Sequence, residues 1–343
     1  MDGIDVARIV TDGRRVFERT GFRSFPYEPQ FRTRLAGALH APDRVDLARL
    51  ERELTLRHAD AVSRFLAELP ARDRRVDLVG FHGHTLHHAP ATGVTRQLGD
   101  GPLLARTLGL PVVFDFRSLD VRRGGQGAPL APVYHAACLE RVARPAAVLN
   151  IGGIANITWI GAGGELHAFD CGPGNMLLDE WALRHTGQPL DRDGALARAG
   201  RVDAKRLQAA LDHPRLREPP PRSLDRLDFD LSPVEGLSPA DGAATLVALT
   251  AACVQRAFAW LPAPPRQLFV TGGGRLNPAL MQALRERLCA VVFPIEVLGL
   301  DGDALEAECM AYLAVRVRRR LPTSFPTTTG VPRPSCGGRF ARP

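Results

Sequence analysis

Glycine-rich turns follow strand-like segments at four places in this 343-residue chain, and they constrain its fold more than any other feature. The turns are Asp2-Gly3, Gly124-Gly125-Gln126-Gly127, Asn150-Ile151-Gly152-Gly153-Ile154-Ala155-Asn156 and Gly272-Gly273-Gly274. Glycine lets backbone amides approach an anion closely, and successive amides form an anion-binding concavity. A single such motif is more typical of a plain tight turn. Four such turns are predicted at the carboxyl ends of strands, which is where α/β sheets bind ligands. With four of them, ligand binding and plain turn formation are equally supported interpretations.

The hydrophobic pattern alternates between strands and helices. Strands are predicted at Ile4–Val10, Val76–Phe81, Pro111–Phe116 and Gln267–Thr271, with a hairpin partner at Arg14–Phe22, and helices at Asp43–Leu69, Pro278–Leu288 and Asp303–Leu321. This alternation predicts an α/β fold with mostly parallel sheets. The length indicates two domains, because one domain usually has about 100–200 residues. The Pro-rich segment Glu218–Gly236 is predicted to be an exposed loop.

Composition excludes several classes of protein. Hydrophobic residues make up 45% of the chain and charged residues 24%, as in a soluble globular protein. Of the 44 Lys and Arg residues only Lys205 is a lysine, so there is no Gly-Lys-Ser/Thr phosphate loop. The net charge is +7, but the sequence lacks the aromatic residues that are interleaved with basic ones in a nucleic-acid-binding protein. Six cysteines without a CxxC pair, an acidic N-terminus and no long uninterrupted apolar run predict a cytoplasmic protein without membrane or nucleic-acid partners.

Polar residues beside the turns are the candidates for chemistry. Asp170 ends a strand just before Gly172-Pro173-Gly174-Asn175. We expect Asn175 to cap the following helix, which leaves the Asp170 carboxylate free to face a cleft. Asp115 and Arg117 flank another strand end, where a local ion pair is the alternative interpretation. The cluster His82, His84, His87 and His88 has a metal-like spacing, but neither cysteine nor carboxylate lies near it in the sequence.

Sequence blocks spread over the chain occur together in the order and spacing of one enzyme family. In chain order they are Asp2-Gly3-Ile4-Asp5, Phe81-His82-Gly83-His84-Thr85, Gln97-Leu98-Gly99-Asp100, Asp115-Phe116-Arg117, Gly124-Gly125-Gln126-Gly127-Ala128-Pro129-Leu130, Asn150-Ile151-Gly152-Gly153-Ile154-Ala155-Asn156-Ile157-Thr158, Phe169-Asp170-Cys171-Gly172-Pro173-Gly174-Asn175, Asp241-Gly242-Ala243-Ala244-Thr245-Leu246, Gly272-Gly273-Gly274-Arg275-Leu276-Asn277-Pro278, Leu305-Glu306-Ala307-Glu308 and Thr329-Gly330-Val331. The blocks beginning at Gly124 and Asn150 are specific, whereas Gly-Gly-Gly alone is weak. Together they resemble the anhydro-N-acetylmuramic acid kinase family.

The resemblance implies an α/β fold of the actin/hexokinase type, with two ribonuclease H-like lobes and ATP in the cleft between them. We expect residues 1–128 to form the N-terminal lobe and residues 129–343 the C-terminal lobe. The helix near residues 303–321 is expected to pack back on the N-terminal lobe.

The resemblance also implies the activity. Enzymes of this family open the 1,6-anhydro bridge of anhydro-N-acetylmuramic acid with water and transfer the γ-phosphoryl group of ATP to O6, giving N-acetylmuramic acid 6-phosphate in peptidoglycan recycling. This chemistry needs a carboxylate that deprotonates water, as in an inverting glycosidase. It also needs a divalent ion and backbone amides at the phosphates.

Roles carry over position by position. Asp170 matches the catalytic base of the family. ATP is expected at Asp2, Gly3, Asp5, Gly152, Gly153, Gly272, Gly273 and Gly274, with Mg²⁺ near Asp2 and Asp5. The expected sugar or phosphate contacts are Asp115, Arg117, Gln126, Asn175 and Glu306. A homodimer is a further expectation.

Two features depart from the family pattern. His84 stands where the family has Gln, which adds a titratable group and can shift substrate preference. The chain also begins at the last part of the first phosphate loop, Met-Ser-Gly-Thr-Ser-x-Asp-Gly-x-Asp, so the first strand and most of that loop are expected to be missing. Loss of that strand would leave an unfilled slot in its sheet. A start codon assigned too far downstream is one explanation of this beginning and leaves the active kinase as the leading hypothesis. A truly incomplete loop makes a non-catalytic sugar- or nucleotide-binding remnant the alternative.

Overall fold

The computed structural model describes residues 3–41 and 45–343, in which groups of strands and groups of helices follow one another along the chain. The strands are β1 (Gly3–Thr11), β2 (Val16–Pro26), β3 (Val79–Phe81), β4 (His84–Ala89), β5 (Val94–Leu98), β6 (Val112–Phe114), β7 (Ala146–Ile151), β8 (Ile154–Ile160), β9 (Leu166–Pro173), β10 (Gln267–Thr271), β11 (Val291–Pro294) and β12 (Arg339–Ala341). The helices are α1 (Pro29–His40), α2 (Leu47–Glu68), α3 (Gly101–Leu108), α4 (Ser118–Arg122), α5 (Pro132–Cys138), α6 (Met176–Thr186), α7 (Ala195–Ala199), α8 (Ala204–Leu211), α9 (Pro239–Ala257), α10 (Pro278–Arg287), α11 (Leu305–Arg318) and α12 (Pro326–Thr329). The predicted α/β class is confirmed.

The chain divides into two compact units. The first comprises residues 1–140 together with 304–343, and the second comprises residues 141–303. The division at 140/141 lies beyond the boundary predicted at 128/129, because α5 belongs to the first unit. Helix α11 also belongs to the first unit, where it packs against β1, β3 and β6.

Small sheets and helices build the first unit. β1 and β2 form an antiparallel hairpin, and β4 pairs with β5 in the same sense. In a third sheet β6 lies between β3, which is parallel to it, and β12, which is antiparallel. The predicted hairpin near the start of the chain is therefore present, with β2 ending at Pro26. The apolar face of α2 lies in the core, where Leu50, Leu54 and Phe65 are buried, as the three-to-four spacing of its leucines predicts.

A five-stranded sheet in the order β11-β10-β7-β8-β9 organises the second unit. β7 is buried along nearly its whole length, as a central strand covered on both faces should be. β7 is parallel to β10, and β10 is parallel to β11, whereas β8 is antiparallel to both β7 and β9. β9 therefore runs in the same direction as β7 and β10, so these three strands end at one edge of the sheet.

The expectation of mostly parallel sheets is wrong. The connections are short: two residues, Gly152–Gly153, join β7 to β8, and five residues, 161–165, join β8 to β9. Turns of that length connect only antiparallel neighbours, because a parallel pair needs a crossover of about a dozen residues or more. The sheet is mixed as a result.

Two segments with unusual composition are part of the core. Helix α9 lies at the start of the segment Pro239–Trp260, which is long and apolar enough to cross a membrane by length and composition, yet 78% of the apolar window is buried inside the structure. It packs as the central helix of the second unit, against α6, α7, α8, α10 and β9. The Pro-rich segment Glu218–Gly236 is not an exposed loop as predicted, because Leu224, Leu231 and Val234 are buried in the same core. Apolar residues between its prolines anchor it.

Candidate active site

Three turns of the second unit meet at the edge of the sheet where β7, β9 and β10 end. Gly152–Gly153 follow β7, Gly174–Asn175 follow β9, and the turn Gly272-Gly273-Gly274 follows β10. The backbone N–H of Gly174 donates to the carbonyl oxygen of Gly153 at 2.8 Å, and that of Asn175 to the carbonyl oxygen of Gly152, also at 2.8 Å. The predicted glycine sites of this unit therefore form one continuous surface.

Asn175 links these turns by its side chain, in a different way from the one predicted. It stands at the N-cap position of α6, but its side chain makes no capping hydrogen bond. Instead its Nδ2 donates to the carbonyl oxygen of Ile151 at 3.3 Å, and it lies beside Gly273. The expectation that Asn175 caps the helix is wrong, because its backbone is already helical (φ −80°, ψ −19°) whereas a capping residue is usually extended.

The glycines of these turns are required for different reasons. Gly272 has a φ of +74°, and a Cβ there would lie 2.6 Å from the carbonyl oxygen of Ile151. A Cβ on Gly274 would lie 2.5 Å from Cγ2 of Ile151. By contrast, a Cβ on Gly152, Gly153 or Gly273 would meet its nearest atom at 3.5–3.8 Å, an ordinary contact. The fold itself demands glycine at 272 and 274, whereas at 152, 153 and 273 there is open space beside the backbone.

That open space lies at the start of α6. Residues 176–186 form this helix, and the N–H of its first residue, Met176, donates to the carbonyl oxygen of Gly153 at 3.4 Å. The N-terminus of a helix carries a partial positive charge and favours phosphate groups. A bare backbone at Gly152, Gly153 and Gly273 beside this helix N-terminus fits the phosphates of a nucleotide.

Asp170 lies on β9, opposite Asn156 of β8, and remains partly exposed. It is not free, as the sequence had led us to expect, because its Oδ2 accepts the backbone N–H of Leu224 at 2.8 Å. Burial raises the pKa of Asp170 to about 6, while the Leu224 N–H, the charge of Arg222 and a hydrogen bond from Ser223 act to lower it. A carboxylate with this pKa is ionised at neutral pH and is a better base than an ordinary aspartate.

A cavity of about 820 Å³ in the first unit gathers other predicted site residues. Its wall is formed by β1, by residues 75–85 around β3 and by the first turns of α11. The predicted residues Gly3, Asp5, Arg117 and Glu306 line it, and both Asp5 and Glu306 are exposed. Gly3 is fixed by the hairpin, since a Cβ there would overlap the carbonyl oxygen of Phe25. Asp2 lies outside the described residues.

Arg117 is held as a fixed cation at this cavity. Its Nε donates to Nε2 of His82 at 3.0 Å, and its NH1 group donates to the carbonyl oxygen of Gly127 at 2.9 Å. Burial and the neighbouring guanidinium lower the pKa of His82 to about 3, so the imidazole is neutral and donates its Nδ1–H to the carbonyl oxygen of Gly83 at 2.9 Å. Burial lowers the pKa of Arg117 as well, opposed by the charge of Glu306. The guanidinium keeps its charge, because arginine is not deprotonated in proteins.

Asp115 makes no local ion pair with Arg117, which was the alternative interpretation. Its Oδ1 accepts the backbone N–H of Ser118 at 3.3 Å, and its backbone is in the left-handed region with a φ of +52°. Such a conformation costs about 1–3 kcal/mol in a residue other than glycine and is typical of functional positions. Asp115 lines a second cavity, of about 200 Å³, together with Arg96 and Gln97.

Gln126 and His84 complete the residues singled out by the sequence. The backbone N–H of Gln126 donates to the carbonyl oxygen of Thr329 at 2.6 Å, which fixes the Gly-Gly-Gln-Gly turn. His84, at the start of β4, lines the larger cavity. Within the described part of the chain its Nε2 is buried without a hydrogen-bond partner, and burial lowers its pKa.

Arg222 is the site residue that sequence reasoning missed. Its guanidinium reaches the end of β9 from within the Pro-rich segment that was predicted to be an exposed loop. An arginine directly after three prolines at 219–221 was the available signal, because a charged residue in a segment with buried leucines needs internal partners.

Known proteins match this chain in sequence along nearly its whole length. The family model described as anhydro-N-acetylmuramic acid kinase matches residues 1–341. Proteins of that name from Rhodospirillum rubrum and Acidiphilium cryptum are each 52% identical to this chain, and the matches cover 99% and 100% of it and 91% and 96% of those proteins. Among solved structures, an activator of 2-hydroxyisocaproyl-CoA dehydratase from Clostridium difficile with bound ADPNP is 10% identical, with a TM-score of 0.41 over 93% of this chain and 97% of that one. These comparisons do not support the predicted truncation.

Proposed function

Because this chain belongs to the anhydro-N-acetylmuramic acid kinase family, we propose that it is an ATP-dependent kinase that opens 1,6-anhydro-N-acetylmuramic acid with water and phosphorylates it in peptidoglycan recycling. The observation that carries the proposal in this chain is Asp170, a carboxylate with its pKa raised to about 6, at the same sheet edge as the turns Gly152–Gly153 and Gly272–Gly274. The alternative of a non-catalytic remnant rested on an incomplete phosphate loop, and the 52% identity to proteins named as kinases of this family does not favour it.

The proposed reaction divides into a hydrolytic and a phosphoryl-transfer step. Asp170 accepts a proton from water as the water oxygen bonds to the anomeric carbon. The bond between that carbon and the bridging oxygen breaks, and its electron pair stays on O6. O6 then bonds to the γ-phosphorus of ATP, and ADP leaves. One water, one sugar and one ATP give one sugar 6-phosphate, one ADP and one proton, which Asp170 releases to solvent.

The glycine turns supply the nucleotide site in this proposal. The phosphates occupy the space that a Cβ would take at Gly152, Gly153 and Gly273, so the backbone N–H groups there can contact them. Gly272 and Gly274 shape the turn that holds the adenosine, because their backbone packs directly against Ile151. Such preorganised donors stabilise the charge that develops on the transferred group without reorganising during the reaction.

A divalent ion would neutralise the phosphate charge when it is bound with ATP. The described residues contain no group of three His, Cys, Asp or Glu side chains suited to hold a metal by themselves. Mg²⁺ is normally held by one or two carboxylates together with substrate phosphates, so the exposed Asp5 fits this role. Asp2 is the second candidate by sequence.

The sugar contacts are also part of the proposal. Glu306 and Arg117 line the larger cavity of the first unit, where a carboxylate can accept sugar hydroxyls and a fixed cation can balance a carboxylate or phosphate. Asp115 lines the smaller cavity, and Gln126 and Asn175 remain candidate contacts. The cytoplasmic location, the homodimer and the lack of nucleic-acid or membrane partners remain predictions.

The test is to incubate the purified protein with ATP, Mg²⁺ and 1,6-anhydro-N-acetylmuramic acid and to follow ADP and sugar phosphate. Asp170→Asn keeps the size of the side chain but cannot accept the proton of water. We expect turnover to fall by about 10²–10⁴-fold, with ADP and sugar phosphate falling together, because loss of a general base typically costs this much.

Asp60→Asn is the matched control, since Asp60 is exposed on α2 and pairs with Arg64 at the surface. It should turn over like the wild type. ATP and sugar affinities measured on Asp170→Asn should stay near the wild-type values. A variant that keeps more than about a tenth of the wild-type turnover would remove Asp170 from the catalytic role.

A further inference from the structure

Arg222 is buried, with 6% of its surface exposed, and its guanidinium donates to four backbone carbonyl oxygens. The acceptors are Asp170 at 2.8 Å, Cys171 at 3.2 Å, Leu216 at 3.0 Å and Glu218 at 2.6 Å. A buried guanidinium is stable only when its donors are satisfied. Two of the acceptors here lie on β9, one is Glu218 of the Pro-rich segment, and one is Leu216, just before that segment. Arg222 therefore fastens this segment to the strand that carries Asp170.

The backbone strengthens the same link. The N–H of Asp170 donates to the carbonyl oxygen of Arg222 at 3.2 Å, so residues 170 and 222 exchange hydrogen bonds in both directions. The two residues that follow Arg222 then reach the carboxylate. The Leu224 N–H lies 2.8 Å from Oδ2 of Asp170, and the Ser223 side chain is near enough to lower the pKa of that carboxyl.

We propose that Arg222 is a positioning residue for the reaction, which acts through Ser223 and Leu224 to orient the Asp170 carboxylate and keep it ionised. The inference rests on the proposed function, in which Asp170 is the base. Arg222 does not touch the substrate in this account. It holds two donors on one side of the carboxylate, while the exposed part of Asp170 remains available to accept a proton.

Every group that faces Asp170 bears on its protonation. From the Pro-rich segment these are Arg222, Ser223 and Leu224, while Glu218 of the same segment pairs with Arg215. From β9 and α9 they are Cys171 and Cys253, whose pKa values are raised by burial, so both thiols stay neutral. Asn156, opposite on β8, does not titrate. Burial alone favours the protonated acid, and the donors held by Arg222 oppose it, so releasing them raises the pKa of Asp170 further.

The experiment compares the pH profiles of kcat/KM for the wild type, Arg222→Gln, Arg222→Lys and Ser223→Ala. In Arg222→Gln we expect the midpoint of the acid limb to move up by about one pH unit or more, which is the usual effect of removing such a partner. The loss of activity should be about tenfold or more below that midpoint and much smaller near pH 9. Arg222→Lys keeps the charge but not the fork of donors, so its shift should be smaller.

Arg226→Gln is the control, because Arg226 is exposed in the same segment and its profile should match the wild type. A loss of the same factor at every pH in Arg222→Gln would mean a structural role only and would overturn the proposal. If Arg222→Gln does not fold, Ser223→Ala and Arg222→Lys decide. An acid limb of the kcat/KM profile that is unchanged in both variants would also overturn the proposal.

Carboxyl NMR titration of Asp170 in the same proteins separates this inference from the proposed function. A wild type that never turns over the sugar would refute the function but leave the titration valid. The Asp170 pKa must rise in the Arg222 variants if Arg222 positions its donors, and an unchanged value refutes the inference whether or not the protein is a kinase.

Discussion

At the scale of single residues, neighbouring glycines of the nucleotide turns have opposite requirements. Gly153 has room for a Cβ, which would lie 3.7 Å from Cβ of Met176, whereas a Cβ on Gly274 would overlap Ile151. Alanine at 153 also costs less chain entropy on folding than glycine does. Only the ligand, in our proposal, needs the bare backbone at 153.

Gly153→Ala should therefore keep the melting temperature of the wild type or raise it, while the Kd for ATP rises by about tenfold, or 1.4 kcal/mol. Gly274→Ala should instead lower the free energy of unfolding by about 1–3 kcal/mol, as overpacking does. Thermal melting and calorimetric titration with ATP measure the two effects. Wild-type ATP affinity in Gly153→Ala would place the phosphates elsewhere.

At the scale of elements, the end of α11 carries arginines with different tasks. The run Arg316, Arg318, Arg319 and Arg320 suggests one solvated face that balances the helix dipole. Arg318, Arg319 and Arg320 are exposed, in agreement with this prediction. For Arg316 it is wrong, because its Nε donates to the carbonyl oxygen of Pro322 at 2.7 Å and its NH1 group to that of Gly13 at 2.8 Å. Arg316 thus ties the turn between β1 and β2 to the helix end.

Arg316→Gln should lower the free energy of unfolding by about 1.5–3 kcal/mol, since the lost hydrogen bonds involve a charged donor. The double variant Arg318→Gln, Arg319→Gln should stay within about 0.5 kcal/mol of the wild type and keep its rate of sugar phosphorylation. Denaturant unfolding and the turnover assay decide. A tenfold loss of turnover in the double variant would show that these arginines serve the reaction.

At the scale of the whole molecule, the buried titratable groups with the largest pKa shifts respond to acid with opposite signs in the two units. In the first unit, burial lowers the pKa of His58 to about 4, that of His82 to about 3 and that of His135 to about 4. In the second unit, burial raises the pKa of Asp170 and of Asp179 to about 6. A histidine that is buried neutral is protonated first in the unfolded chain, whereas a carboxyl with a raised pKa is protonated first in the folded one.

Acidification from pH 7.5 to 5 should therefore destabilise the first unit, because its stability falls as the pH drops through the unfolded histidine pKa of 6.5 toward about 4. Each buried histidine contributes about 1–2 kcal/mol of loss at pH 5. Asp170 and Asp179 act in the other direction in the second unit as the pH passes 6. Hydrogen exchange, corrected for its intrinsic pH dependence, measures each unit by itself. Earlier loss of protection in residues 141–303 would contradict this assignment.

Much of the fold and part of the candidate site follow from the sequence alone. The period of the leucines predicts a helix at 43–69, and α2 spans Leu47–Glu68. The turns Gly152–Gly153 and Gly272-Gly273-Gly274 and the strand that carries Asp170 also lie where the local pattern predicts them, whereas Gly3 lies in β1 and residues 124–127 follow α4 rather than a strand. These features depend on backbone preferences and on the spacing of apolar residues within a few turns of chain, which the sequence contains directly.

The tertiary structure decided where the polar groups find their partners. Leu224 meets Asp170 across 54 positions of sequence, Gly13 meets Arg316 across 303, and Asn175 turns from its helix to Ile151. No local pattern specifies such pairs, because each one depends on which apolar faces pack together and on how every buried donor is then satisfied. The sequence determined the turns after β7 and β10, the strand ends and the identity of the base candidate. Only packing decided that the guanidinium of Arg222 hydrogen bonds to the strand that carries Asp170.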